Sequence, residues 1–326
     1  MNHRLLAAAA ALALIAPAAA EEASPAPPSP GEIVAAAPTA DWIAIAPSDL
    51  LVMDLAPDSA GKPRRVIIQL MPAPFSQGWV GNIRKLAAAH WWDGTSINRV
   101  QDNYVVQWGD ATEKKPLPDG LAKVSEGEYV TVTKGTGGSV PSDGKTPPMF
   151  WSGYSPGWVW ANHPDAYAKK HSFFLGWPFG SNDGRSGWAI HCYAMVGVGR
   201  NLSPDTGSGA ELYTVIGHAP RHLDRNIALV GRIVEGIEHL SSLPRGTGAL
   251  GFYEEAAERV PIASIRLAAE LPQADRPQFE YLSTESDSFA KYADARANRR
   301  DPFFITPAGG ADICNIPVPV RRVTAQ

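Results

Sequence analysis

The sequence predicts a mostly β protein, and two observations carry that expectation. Glycine and proline are frequent, 30 and 29 residues of 326, and they interrupt the chain at short intervals. Between them lie brief runs of β-branched and aromatic residues, which suit strands.

The first twenty residues place a basic start (His3, Arg4) before an apolar run that ends in Ala18-Ala19-Ala20. That is the pattern of a secretory signal peptide over residues 1–20, with cleavage expected after Ala20. The apolar run is too short for a membrane anchor, and no cysteine follows it for a lipid anchor. A soluble periplasmic protein is expected, with no stable membrane anchor after cleavage. Residues 21–40 are rich in Ala, Pro, Ser and Glu, a composition that predicts a flexible linker. A formal net charge of −4 and the absence of any basic block argue against nucleic acid as a partner. Cys192 and Cys314 are the two cysteines. In an oxidising compartment they can pair and pin the C-terminal tail, or they can remain two buried thiols.

Residues 49–55 and 65–70 read as strands joined by a hairpin loop at 58–62. Residues 82–92 carry a helical apolar pattern. Asp93-Gly94 marks a turn, and residues 97–100 and 104–108 read as two strands joined by the polar Gln101-Asp102-Asn103. Arg99 and Gln107 stand out there as long hydrogen-bonding side chains in apolar strands, with Val105 and Gln107 on one face. Residues 111–185 contain Phe150, Trp151, Tyr154, Trp158, Trp160, Tyr167, Phe173, Phe174, Trp177 and Phe179. Such a density of aromatics fits a satellite core on the main domain, or an aromatic wall that binds extended polypeptide. Residues 180–187 read as a turn. Further strands are expected at 189–198, 209–215, 230–236 and 261–271, with a helix over 236–243.

Two short motifs fail on their context. Gly153-Tyr154-Ser155-Pro156-Gly157 fits the nucleophile elbow of serine hydrolases, but Pro156 lacks the N–H that the oxyanion hole requires. Gly246 to Gly251 fits G-x-G-x-x-G, yet it follows a helix rather than a strand and reads as a loop. The histidines show no paired ligand spacing. No cofactor and no metal are expected.

The stretch from Asp93 to Asp110 resembles the central motif of cyclophilins, F-H-R-x-x-x-x-F-x-x-Q-G-G-D. Here it stands as Ile97-Asn98-Arg99, Tyr104 and Gln107-Trp108-Gly109-Asp110. Upstream, Asn82-Ile83 and Leu86 resemble the E-N-F-x-x-L helix. Downstream, residues 209–215 resemble G-S-Q-F-F-I, His222-Leu223-Asp224 resembles W-L-D-G, and residues 230–236 resemble V-F-G-x-V-x-x-G. The resemblance implies an eight-stranded antiparallel β-barrel capped by helices over residues 41–271. The aromatic-rich stretch 111–185 would be an insertion, and 272–326 a C-terminal extension packing on the barrel.

The implied activity is that of a peptidyl-prolyl cis/trans isomerase acting on unfolded or proline-containing polypeptides. By resemblance Arg99, Gln107 and Tyr104 are the catalytic residues. Val105, Tyr213, His222, Leu223 and Ile227 line the proline pocket, with Met195 at its base. His222 stands for the family's usual Trp and Ile227 for its His, so weak cyclosporin binding is expected. The departures at Asn98, Trp108, Glu211 and Ile227 leave a second function open, a polypeptide-binding or chaperone module with little catalysis.

Overall fold

The computed structural model describes residues 26–132, 165–183 and 185–323. In chain order it has helix α1 (Pro30–Ala35), strands β1 (Trp42–Ala44), β2 (Leu50–Leu55) and β3 (Arg64–Leu70), and helix α2 (Gln77–Ala88). Strands β4 (Ser96–Val100), β5 (Val105–Gly109), β6 (Thr131–Val132), β7 (Lys170–Phe174), β8 (Trp177–Ser181) and β9 (Ser186–Ala189) follow. Next come β10 (Met195–Val198), β11 (Leu212–Val215), β12 (Leu229–Glu235) and helix α3 (Glu238–Ser241). The described chain ends with β13 (Val260–Leu267), β14 (Phe279–Leu282), helix α4 (Asp287–Ala297) and β15 (Val320–Arg322).

Eight of these strands close into an antiparallel barrel in the order β10-β11-β5-β4-β13-β2-β3-β12, and β12 pairs back onto β10. Closure removes the exposed sheet edges of an open sheet. Alternation along the strands explains the apolar runs of β2 and β3. Leu51, Met53, Val66 and Ile68 enter the main core, while Leu50, Val52 and Ile67 face a second cluster with Ala268, Phe279 and Tyr281. Both faces are therefore buried, and each such side chain contributes on the order of 1.5–3 kcal/mol. Helix α2 buries Trp79, Val80, Ile83, Leu86 and Ala87 in the main core. It begins and ends earlier than the apolar pattern over 82–92 predicts. His90 adopts a left-handed φ of 54°, which ends the helical path before Trp91 and Trp92. The expected strand over 189–198 is two strands, broken by a segment in which Ile190 and Cys192 are buried and Tyr193 is exposed, and which ends at Ala194 with φ 66°.

The linker expected over residues 21–40 needs correction, because residues 30–35 are helical. Ser29 and Glu32 form a reciprocal capping box and Pro30 opens the helix. Ile33 and Val34 pack on the cluster of Phe289, Tyr292 and Ala293 from α4. That apolar contact is what a composition-based reading cannot supply.

Strands β6, β9, β8 and β7 form a four-stranded sheet against the barrel. Trp177 and Phe179 belong to the main core, and the Phe75 and Phe179 rings stack at 3.9 Å. Buried Arg232 of β12 holds this sheet through a 2.7 Å hydrogen bond to the Gly176 carbonyl and a face contact with Trp177 at 4.5 Å. The described aromatics of β7 and β8 thus build core. Phe150, Trp151, Tyr154, Trp158, Trp160 and the motif at 153–157 lie outside the described residues. Strand β14 pairs with both β1 and β15, and Arg322 bonds Glu235 of the barrel. Cys192 and Cys314 form a disulfide across 122 residues of sequence.

Candidate active site

Four neighbouring barrel strands contribute one residue each to a single row. Arg99 on β4 lies opposite Gln107 on β5, Gln107 opposite Tyr213 on β11, and Tyr213 opposite Gly197 on β10. Opposed residues of an antiparallel ladder share a face. Val106 and Trp108, which flank Gln107, enter the main core, so the row stands on the outside of the barrel. A bulge completes it. The β4–β5 register shifts between Ile97 and Arg99, leaving Asn98 as the extra residue. Without that insertion, alternation would send Arg99 to the other face.

Three acceptors fix the Arg99 guanidinium. Nε donates to the Leu250 carbonyl at 2.8 Å, Nη1 to Gln107 Oε1 at 3.2 Å, and Nη2 to Gln101 Oε1. The group carries five N–H donors, so two remain for a bound molecule. It also lies over the Phe252 ring at 5.2 Å and the Tyr104 ring at 5.7 Å. Half-burial lowers its pKa, with the nearby Tyr104 opposing. The cation is thus partly stripped of water, which strengthens any hydrogen bond that it donates.

Beside this cation lies an apolar wall. Val105, Tyr213 and Val215 are buried together, with Tyr104 and Ile227 packed on them. Arg99, Gln107, Tyr104, Val105, Tyr213, Leu223 and Ile227 all line one cleft of about 820 Å³. His222 is exposed beside it, its ring parallel to Tyr104 at 6.3 Å. Met195 needs correction. It is buried in the main core opposite Arg232 and does not line the cleft. Gly197 lies beneath Tyr213 instead, and a Cβ there would meet the Tyr213 ring at 2.3 Å. The two positions are two residues apart, which regular alternation would put on one face, but the β10–β12 register shifts between Val196 and Gly197.

Behind the wall runs a buried polar chain. The Tyr213 hydroxyl and His191 Nε2 are 2.8 Å apart, and His191 Nδ1 and Asp224 Oδ1 are 2.9 Å apart. Arg221 Nε donates to Asp224 Oδ2 at 2.7 Å, and its Nη1 to Asp165 at 2.9 Å. Desolvation, with the charge of Asp224 adding to it, holds the Tyr213 pKa well above the usual phenol value, so the hydroxyl stays protonated. Four acids line the cleft, Asp110, Glu113, Asp205 and Glu211. Burial pushes Glu211 up to about 7, against hydrogen bonds from Gln107, Asn98 and the Asp110 backbone. Among the described residues no cluster of three His, Cys, Asp or Glu could hold a metal.

The family model described as "Cyclophilin type peptidyl-prolyl cis-trans isomerase/CLD" matches residues 63–267, more than half of the chain. The chain belongs to this family. Among solved structures, a cyclophilin from Hirschia baltica aligns with a TM-score of 0.62 at 22% identity, covering 87% of this chain and 94% of that one. That likeness gives the fold, the closed mostly β barrel. A cyclophilin-type isomerase from Cryptosporidium parvum aligns with a TM-score of 0.37 at 10% identity, over 67% of this chain and 96% of that one. The same parasite protein, solved in the presence of the dipeptide Ala-Pro, aligns at 0.35 and 10%. No curated protein matches the chain.

Within the cyclophilin frame, the sequence reading missed the residues that hold Arg99 from the side. Leu250 and Phe252 belong to the loop begun by the discarded G-x-G-x-x-G run. Gly246 and Gly251 let that loop fold tightly: a Cβ on Gly246 would meet the Gly251 carbonyl at 1.9 Å, and Gly251 has φ +79°. Gln101 looked like turn polarity. His191 and Asp224 carried no local signal, since they come together only through the fold.

Proposed function

We propose that this cyclophilin accelerates X-Pro bond rotation in exported polypeptides, with Arg99 donating a hydrogen bond to the prolyl nitrogen. The row of Arg99, Gln107 and Tyr213 beside an apolar pocket is the observation that supports this reading. Resonance makes the amide rotate slowly, over tens to hundreds of seconds. In the twisted transition state the nitrogen lone pair is localised and accepts a hydrogen bond. A rigid, permanently charged guanidinium suits that role, and Arg99 retains two unused donors. Val105, Tyr104, Tyr213, Leu223 and Ile227 seat the proline ring, and Gln107 holds Arg99 while orienting the substrate carbonyl. An acceleration on the order of 10⁵ needs roughly 7 kcal/mol. One charge-assisted hydrogen bond supplies about 1.5–3 kcal/mol. The rest comes from tighter binding of the twisted form by groups already in place.

The periplasm is the proposed compartment, on the strength of the signal-like residues 1–20 and of a disulfide that persists in oxidising surroundings. The test is a prolyl isomerisation assay on a short X-Pro peptide and on a refolding protein limited by proline isomerisation. Activity on both supports the reading. Inactivity on both, with improved folding yield of a proline-free client, would favour the binding-module alternative.

A further inference from the structure

Glu211 occupies the position at which the cyclophilin G-S-Q-F-F-I strand carries glutamine, and its surroundings are unusual for a carboxylate. The side chain lines the Arg99 cleft, yet Oε2 is buried without a donor. Gly109 leaves room for it: a Cβ there would meet the Glu211 carboxylate at 1.9 Å. At Gly199, a Cβ would meet Glu211 Cβ at 2.9 Å and Gln107 Nε2 at 3.6 Å. Gln107 Nε2 therefore lies on the Glu211 side, and Gln107 Oε1 on the Arg99 side, where it accepts from Nη1.

This polarity of the Gln107 amide matters. Turned over, it would present N–H donors to a guanidinium that has only donors. Resting on the proposed isomerase reading, we infer that Glu211 is a positioning residue, whose ionised carboxylate accepts from Gln107 Nε2 and thereby keeps Oε1 turned toward Arg99. Protonation replaces a charge-assisted hydrogen bond by a weaker neutral one, and the new O–H competes for Gln107 Oε1. The amide is then free to turn, and Arg99 loses one of its three anchors.

The switch lies in a useful range, because burial pushes Glu211 up to about 7. The charged groups around it come from several elements. Asp110, after β5, opposes ionisation through its charge and favours it through its backbone N–H. Arg99 of β4, Arg200 after β10 and Arg259 before β13 line the same cleft and favour the carboxylate, as does Lys115. Glu113 and Asp205 line it too and oppose. Tyr213, two residues further on in β11, stays neutral.

The test measures kcat/KM for an X-Pro peptide from pH 5.5 to 8.5 in the native protein and in Glu211→Gln. The native activity is expected to rise about fivefold with a midpoint near 7, equivalent to the difference of about 1 kcal/mol between a charge-assisted and a neutral hydrogen bond, and the Glu211→Gln profile to be flat. Nitrogen-15 NMR of the Gln107 side-chain amide supplies a readout independent of catalysis. Its resonances are expected to move with the same midpoint in the native protein and to stay fixed in Glu211→Gln. Superimposable pH profiles, or a Gln107 amide that does not titrate in the native protein, overturn the inference. Inactivity at every pH would overturn the isomerase reading, while the Gln107 titration would still decide the role of Glu211.

Discussion

Gln107 Oε1 accepts from Arg99 Nη1 at 3.2 Å, between residues that face each other across the β4–β5 ladder. The bond exists because the Asn98 bulge shifts the register by one residue. It sets the direction of a cation that burial has partly stripped of water. Gln107→Ala should therefore lower kcat/KM about tenfold, equivalent to roughly 1.4 kcal/mol, the size of one modest hydrogen bond. Gln107 is half-buried, so its thermal midpoint should barely move. Peptide assays alongside thermal melts check both parts.

The Tyr213–His191–Asp224 chain is a stability device for the pocket wall. His191→Leu leaves the Tyr213 hydroxyl buried without its partner and takes the imidazole from Asp224 Oδ1, which keeps only the backbone N–H of residue 191 at 3.0 Å. A loss of about 3 kcal/mol is expected, read from the urea midpoint. Tyr213→Phe removes only the hydroxyl, and about 1 kcal/mol should go with it. The double variant should cost less than the sum of the two, as contacting residues do.

Cys192→Ser opens a loop of 122 residues and releases the C-terminal extension from the segment that carries His191. Chain entropy alone would give about 5 kcal/mol for such a loop, and a loss of about 2–4 kcal/mol, the usual range, is expected. Urea unfolding of the oxidised native protein and of the variant measures it directly. Equal midpoints would show that the extension is held by packing alone.

Glu211 links stability to pH in the opposite sense from most carboxylates. Its folded pKa, about 7, lies above the ordinary 4.5. The native state binds the proton more tightly, so this contribution is fully present below pH 4.5 and is lost as pH rises through 7. The difference corresponds to at most about 3 kcal/mol. Glu211→Gln should therefore stabilise the protein more at pH 8 than at pH 5, as paired denaturation curves at the two values would show.

Alternation along β5 was enough to put Val105 and Gln107 on one face, because it is local, while the resemblance to cyclophilins, not periodicity, brought Arg99, Tyr104 and Tyr213 beside them. What the sequence concealed depends on contacts between distant segments. The bulge at Asn98 is a property of the pairing with β5, so no single strand announces it. Leu250 reaches Arg99 through a backbone carbonyl, which any residue type provides. Met195 and Gly197 would share a face by alternation, and only the register shift between them and the Tyr213 ring show which lies beneath the pocket. Helix α1 is marked by Ser29, Pro30 and Glu32, a capping signal hidden in an alanine- and proline-rich stretch. Pairing of the two cysteines had no sequence warrant beyond their number.

Whether Arg99 lowers the barrier to prolyl rotation is decided by Arg99→Ala. Proline-limited refolding and an X-Pro peptide assay would be run on residues 41–326 and on the full chain without residues 1–20. Clear activity is expected in the native protein and a loss of about ten- to a hundredfold in Arg99→Ala, matching roughly 1.5–3 kcal/mol for the hydrogen bond, with the fold retained by circular dichroism. Undiminished activity in Arg99→Ala would contradict that role for Arg99.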